Sequence, residues 1–489
     1  MNAYTLLSLA AYFALMVGIG IYAWAKTRAD SAGYLLAGRG LGPAVTALSA
    51  GASDMSGWLL LGLPGALFAS GLVEAWIAIG LTIGALANWI IVAPRLREQT
   101  ERLGDALTIP QFLANRFPET GTLLRVTSAV VIVGFFTVYT ASGMVGGGKL
   151  FATAFAGSLP ATGLSDYMLG IFVTAGIVLL YTMIGGFLAV SLTDFVQGMI
   201  MMTALVVMPL VIWMNTDAAS ALAMVPQAGF LSLTQGATLV GVISAVTWGL
   251  GYFGQPHIIV RFMAIDRVEN IPRARLIGMS WMVISLAGAI AVGLAGRAYA
   301  QARGLVVEDP ETIFIILSEL LFHPAVTGFL YAALLAAIMS TISAQLLVSS
   351  SSLTEDFYRL FLRRSASERE AVNIGRLCVG LVAAAALVIA ADPESEVLGL
   401  VANAWAGFGA AFGPLILLAL TWNRMTGAGA VAGLVTGAGV VAGWIALGLN
   451  KVFLGGPGLY EIVPGFFAAL LAIVVVSRLT ARPESAPTA

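Results

Sequence analysis

Thirteen stretches of this chain are apolar for about the 20 residues that a helix needs to cross a hydrocarbon core. They lie near 4–25, 43–68, 72–94, 122–150, 166–187, 192–214, 235–256, 276–300, 324–350, 374–391, 397–422, 427–448 and 459–478. Backbone in lipid must satisfy its own polar groups, so stretches of this length predict helices. The expected fold is an all-α polytopic membrane protein, with residues 1–489 forming one transmembrane domain. Composition excludes the alternatives. Of the 489 residues 59% are apolar and 10% charged, against about 25% charged in an ordinary soluble domain. A net charge of −1 offers no basic surface for nucleic acid. The single cysteine, Cys378, excludes an internal disulfide. His257 and His323 stand far apart, each beside a proline, and provide no transition-metal set. No nucleophile–base pair suggests an enzyme.

Lysine and arginine set the expected orientation. With thirteen spans and the N-terminus outside, 20 of the 24 basic residues fall on the cytoplasmic side. They are Lys26, Arg28 and Arg39; Arg95, Arg97, Arg102, Arg116 and Arg125; Arg261, Arg267, Arg273 and Arg275; Arg359, Arg363, Arg364, Arg369 and Arg376; Arg424; Arg478 and Arg482. Lys149, Arg297, Arg303 and Lys451 remain outside. The first stretch lacks a basic start and a clean cleavage site, so it reads as a mature span rather than a signal peptide. The longest loops, about 95–121, 257–275, 301–323 and 351–373, are too short for a soluble signalling domain.

Function is expected where a span violates bilayer logic, because irregular backbone and charge at depth are tolerated only beside a cavity. The second span interrupts its apolar run with Gly51, Ser53, Asp54, Ser56 and Gly57, followed by Pro64 and Gly65. Glycine weakens a helix interior and serine competes for backbone bonds, which predicts an unwound stretch around 52–57 holding Asp54. The alternative reading is a carboxylate held by local amides. The seventh span clusters Gly249, Gly251, Gly254 and Pro256 around Trp248 and Tyr252. It suits a second break, although small residues also permit close helix packing. The two irregular spans are five apart. That spacing points to inverted repeats, near 43–214 and 235–422, with the stretches 4–25, 427–448 and 459–478 added outside them.

The ninth span places Ser340, Thr341 and Ser343 one turn beyond Ala336 and Ala337. Such hydroxyls often only bond back to the preceding turn. Alternatively they ligate a small hard cation, which takes oxygen donors. A carbonyl at Ala337, with others freed near Ala52 and Met55, would complete a shell of neutral oxygens suited to Na⁺.

The segments GRGLGPAVTALSAGASDMSGWLLLGLPGALF (38–68), WGLGYFGQPHIIVRFMA (248–264), LLAAIMSTISAQLLVSSSSLTEDFYR (334–359) and AWAGFGAAFGPLILLAL (404–420) resemble the sodium:solute symporter family. The resemblance runs over essentially the whole chain and is strongest to members that carry proline. It implies thirteen transmembrane helices with the 5+5 inverted-repeat core of LeuT-like transporters, and one Na⁺ carried inward with one L-proline by alternating access. It places the Na⁺ ligands on Ala52, Met55, Ala337, Ser340 and Thr341, and the essential aspartate on Asp54. It puts Arg39 in Na⁺ coupling at the cytoplasmic side. The solute side falls on Ser56, Gly57, Trp58, Tyr139, Trp248, Tyr252 and Pro256. A second Na⁺ site in some members would involve Asp194 and Ser343; a carboxylate capping a helix start is the other reading of Asp194. Where proline-type members carry cysteine, this chain has Ala344. The resemblance further implies a bacterial inner membrane, in which a monomer suffices. The competing expectations are another solute of the same family (a sugar, pantothenate or another amino acid), and a sensor or channel. No signalling module or repeated pore motif favours the last two.

Overall fold

A computed structural model describes residues 2–27, 30–155, 163–223, 225 and 227–481. Arg28 and Arg482, counted above for orientation, lie outside the described residues. Among the described residues eighteen α-helices follow in chain order. They are α1 Ala3–Lys26, α2 Ser31–Leu36, α3 Pro43–Met55, α4 Gly62–Ser70, α5 Ala75–Arg102, α6 Ile109–Arg116, α7 Gly121–Ala154, α8 Asp166–Asn215 and α9 Ala218–Ala223. Then come α10 Leu239–Val246, α11 Pro256–Ala264, α12 Ile271–Arg303, α13 Ile313–Leu321, α14 Pro324–Ser351, α15 Glu368–Ala390, α16 Val397–Thr421, α17 Gly427–Ala446 and α18 Ile462–Thr480. The one strand pair described is a hairpin, β1 Val452–Phe453 against β2 Gly456–Pro457.

Eleven helices among the described residues are long and apolar enough to cross a membrane. The other two predicted spans are not continuous helices. The second is α3, a 3₁₀ turn and α4; the seventh is α10, a 3₁₀ stretch and α11. The break in the second span is later than the sequence suggests. Residues Ala52–Met55 are still helical, and the chain leaves the helix at Ser56, at φ 44° and ψ −171°. The sixth span also starts earlier than expected. The chain bends at Gly186 (φ 60°), where a Cβ would sit 2.7 Å from the Tyr34 ring, and a membrane-length helix runs on to Asn215. The ninth continues past Ser351 into π-helical turns as far as Leu362.

Burial sorts these helices into centre and rim. In their most apolar windows α14 and α16 are 83% buried, whereas α1 and α15 are 28% buried and turn apolar faces outward. A helix apolar on all sides belongs either in a packed centre or against lipid, and both cases occur. The two ends of the bundle differ in charge. On α7, Arg125 and Lys149 stand 24 residues apart, roughly 36 Å along the axis at 1.5 Å per residue. At the first end Arg125 pairs with Asp356 at 2.8 Å, and Arg39 pairs with Asp105 at 2.8 Å. At the other, Lys149 pairs with Asp309 at 2.6 Å and Glu311 at 2.9 Å. Arg261, assigned above to a loop, instead lies within α11 and is fully buried.

Candidate functional site

The two breaks meet at the centre of the bundle. Ending a helix leaves its last four carbonyls without amide partners from the helix. At the end of α3 these belong to Ala52, Ser53, Asp54 and Met55. Helix α14 answers them. The Ser340 hydroxyl lies 2.8 Å from the Ala52 carbonyl oxygen and 3.1 Å from that of Ala337, and the Thr341 hydroxyl lies 3.3 Å from the Ala337 oxygen. Each hydroxyl carries one proton and two lone pairs, so it can turn from donating to a carbonyl to ligating a cation beside it. Met55 stands three residues beyond Ala52, on the same face. Ala52, Met55, Ala337, Ser340 and Thr341 are each no more than 2% exposed. Four of the five predicted oxygen donors thus share one contact set, with Met55 bordering it. Their chemistry, neutral hard oxygens in a buried setting, fits Na⁺ rather than a divalent ion, which wants carboxylates.

Asp54 is held from two directions. Its carboxylate accepts a short hydrogen bond from the Tyr252 hydroxyl, and its main-chain carbonyl accepts one from Tyr139 at 3.2 Å. Tyr252 belongs to the second break. There residues Thr247–Gly254 form a 3₁₀ stretch, Gln255 is extended, and Pro256 opens α11 at a position where its missing N–H costs nothing. Both readings of this glycine cluster hold together. A Cβ on Gly84 would lie 2.1 Å from the Gly249 carbonyl oxygen, and one on Gly251 would lie 1.9 Å from the Trp405 indole nitrogen. The break therefore packs directly against α5 and α16.

Aromatic rings wall the space beside these breaks. Trp58 and Trp248 have ring centroids 6.1 Å apart; Trp248 stacks on Tyr460 at 5.2 Å and on Trp405 at 6.5 Å, and Tyr252 meets Trp405 edge-on at 5.1 Å. Ser56, Gly57 and Pro256 form the turns between them. The solute-side residues predicted from sequence, Ser56, Gly57, Trp58, Tyr139, Trp248, Tyr252 and Pro256, all gather here and all are buried. Sequence reasoning missed three neighbours. Trp405 donates from its indole nitrogen to the Trp248 carbonyl at 2.7 Å and accepts at its own carbonyl from Gln255 at 3.0 Å. Tyr460 comes from the loop before the last span, where nothing local marks it. His257, set aside as a metal ligand, meets Tyr139 edge-on at 5.8 Å, and neither ring nitrogen has a hydrogen-bond partner among the described residues. For Trp405 the signal was its place in the 404–420 segment.

Asp194 and Ser343 do not share a hydrogen bond. Asp194 accepts from Ser49 at 2.7 Å and pairs with Arg261 at 3.1 Å, all three fully buried, and Arg261 also covers the Phe187 ring at 5.1 Å. Ser343 donates to the Ser340 carbonyl at 3.0 Å. Asp194 is therefore an ion-pair partner of the α11 arginine, not the cap of a helix start.

Arg39 has a positive φ of 54° and lies before α3 at the arginine-rich end. Its guanidinium bonds Asp105, Thr100, the Met263 carbonyl at 2.8 Å and the Ala106 carbonyl at 3.0 Å. Beside it Leu41 and Ile265 form an isolated parallel bridge. The start of the first broken passage is thus latched to the end of the second.

A sequence model described as the sodium:solute symporter family matches residues 34–437. The chain belongs to this family. This symporter is 52% identical over 491 residues to the osmoregulated proline transporter OpuE of Bacillus subtilis (strain 168), covering 99% of this chain and 97% of that one. It is 53% identical over 477 residues to the high-affinity proline transporter PutP of the same organism, covering 97% and 98%. It is 51% identical over 494 residues to the sodium/proline symporter of Staphylococcus aureus (strain JH9), covering 99% and 94%. Its fold is shared with a substrate-bound outward-open Na⁺-coupled sialic acid symporter at TM-score 0.80, 18% identity and 98% coverage of both chains. A nucleobase-cation-symport-1 family transporter in a closed conformation matches at TM-score 0.54, with 15% identity and coverage of 94% and 97%.

Proposed function

We propose that this symporter carries L-proline into the cell together with Na⁺ by alternating access. The observation that carries the reading is the meeting of the Ala52 and Ala337 carbonyls with the Ser340 and Thr341 hydroxyls, directly beneath a break walled by Trp58, Trp248, Tyr252 and Tyr139. Relatives at about half identity over nearly the whole chain, each described as a proline transporter or sodium/proline symporter, support the solute.

Proline is a small zwitterion with an apolar ring. The 3₁₀ turn after Ser56 begins with amides that can receive its carboxylate, as helix starts do for anions. The aromatic wall suits the ring. Na⁺ bound to the end of α3 orders the same turn that meets the solute, so each ligand raises the affinity of the other. The driving force is adequate: one charge crossing 100 mV supplies about 2.3 kcal/mol, and a tenfold Na⁺ gradient about 1.4 kcal/mol. Together they sustain a solute gradient on the order of 500-fold at 1:1 coupling.

The two broken passages, added to the eleven long helices, bring the crossings to thirteen. With breaks in the second and seventh, this supports repeats near 43–214 and 235–422. The arginine-rich end is read as cytoplasmic, placing the N-terminus outside and the C-terminus inside a bacterial inner membrane. A second Na⁺ at Asp194 and Ser343 would have to share the carboxylate with Arg261, whose guanidinium already supplies its positive charge.

The deciding experiment is uptake of labelled L-proline into proteoliposomes with an inward Na⁺ gradient, then with K⁺ in its place. Accumulation with Na⁺ alone is expected. Folded protein that accumulates another amino acid, a sugar or pantothenate, but not proline, would overturn the solute assignment.

A further inference from the structure

Beside the first break, on the side away from α14, lies a cavity of about 20 Å³ lined by α3, α5, the stretch holding Tyr252, α11 and α12. Its lining is apolar (Trp89, Phe262 and Met282 among others) except for three side chains: Asp54, Tyr252 and Asn88. Asn88 is 1% exposed, and neither its amide nitrogen nor its amide oxygen has a hydrogen-bond partner among the described residues. The Asp54 carboxylate takes its described hydrogen bond from Tyr252 and forms none of the described salt bridges. A buried amide unpaired at both ends is rare in folded proteins unless water or an ion completes it, and about 10–15 Å³ of such space holds one water.

We propose that this cavity holds an ordered water bridging Asn88 to Asp54, and that Asn88 is thereby a positioning residue for Na⁺ coupling. The water accepts a hydrogen bond from the Asn88 amide N–H and donates one to the Asp54 carboxylate, tying the last turn of α3 to α5. Asp54 lies between Ala52 and Met55, so fixing its side chain fixes the direction of the carbonyls on either side. The volume excludes a solute molecule, and the amide supplies a donor that a cation would leave unused. This inference rests on the reading above, in which the α3 carbonyls receive Na⁺.

The test uses full-length protein in proteoliposomes. Asn88→Leu keeps the approximate shape and removes the hydrogen bonds. It is expected to raise the Na⁺ concentration for half-maximal proline transport about tenfold, the scale seen when partners of metal ligands are lost. Half-saturation by proline at saturating Na⁺ is expected to move less than about twofold, because the solute wall is untouched. Asn88→Ser, which can still hold a water, is expected to restore most of the Na⁺ response. In an Asp54→Asn background, itself expected to weaken Na⁺ dependence, Asn88→Leu should add nothing further, since the two act through one contact. A shift in Asp54→Asn with none in Asn88→Leu overturns this inference alone. Unchanged Na⁺ dependence in both overturns the coupling role of Asp54 as well. Should Asn88→Leu fail to fold, an experimental density map of the unmodified protein decides: a water peak within hydrogen-bonding distance of both side chains supports the bridge, and a dry cavity overturns it.

Discussion

At the scale of single residues, the proposed ion site is built of hydroxyls and carbonyls rather than the carboxylates of divalent-ion sites. Ser340 and Thr341 look like ordinary membrane-helix residues bonding back one turn, and each does donate to Ala337. Ser340 also reaches across to Ala52, on a helix 288 positions earlier in the chain. That cross-helix bond is more than a serine satisfying its own backbone would make, and it supports the proposed ligand role. Replacing both Ser340 and Thr341 by alanine removes two of the proposed ligands while keeping the backbone. Proline binding in detergent is expected to lose its stimulation by Na⁺ and to persist weakly without it; stimulation retained by the double variant would move the ion elsewhere. The sequence marked Asp54 as unusual by its depth alone. It could not show that Tyr252, 198 positions later, is its partner, because that pairing exists only once the two breaks face each other.

At the scale of elements, the two broken passages are the feature most legible in the sequence, through their clustered Gly, Ser and Pro. Their boundaries were less so. The first break begins at Ser56 rather than near Ala52, so the carbonyls proposed to face the ion come from an intact final turn instead of an unwound strand. Helix continuity through Met55 depends on packing against α8, α12 and α14, which local propensity does not report. The glycines of the second break serve close approach as much as irregularity. Gly84→Val would drive a side chain into the Gly249 backbone, where even a Cβ comes within 2.1 Å. The expected cost is on the order of 1–3 kcal/mol, read as a lower apparent Tm in detergent together with lost transport. A melting profile equal to that of the unmodified protein would mean α5 can shift freely.

For the whole molecule, the two ends of the bundle are closed by different means. Toward Lys149, the rings of Trp58, Trp248, Tyr460 and Trp405 stack over the breaks, and Glu311 joins Lys149 to the Val397 and Leu398 amides at the start of α16. Toward the arginine-rich end, a small void of about 10 Å³ is lined by Pro256, Val260, Leu347, Thr108 and Ser351 among others. At that end Arg39 pairs with Asp105 and Arg125 with Asp356, so both ends of the bundle are closed. In a Cys378→Ser background, a cysteine introduced as Ser351→Cys is expected to react with a membrane-impermeant thiol reagent applied from the arginine-rich side, and not from the other. Equal labelling from both faces would contradict the closure of the Lys149 end.

The amino-acid sequence by itself determined that this chain lives in a membrane, roughly where its helices run, and that two of them are interrupted. Those properties follow from apolar length and from residues that resist helix, both local in the chain. Tertiary structure alone decided that Tyr252 meets Asp54, Trp405 meets Trp248 and Arg261 meets Asp194. Arg261 shows the reason. A basic residue near a span end reads as solvated, because charge at depth is costly. Here a carboxylate and an aromatic face from α8 and a serine from α3 surround it, and that compensation is created only by packing.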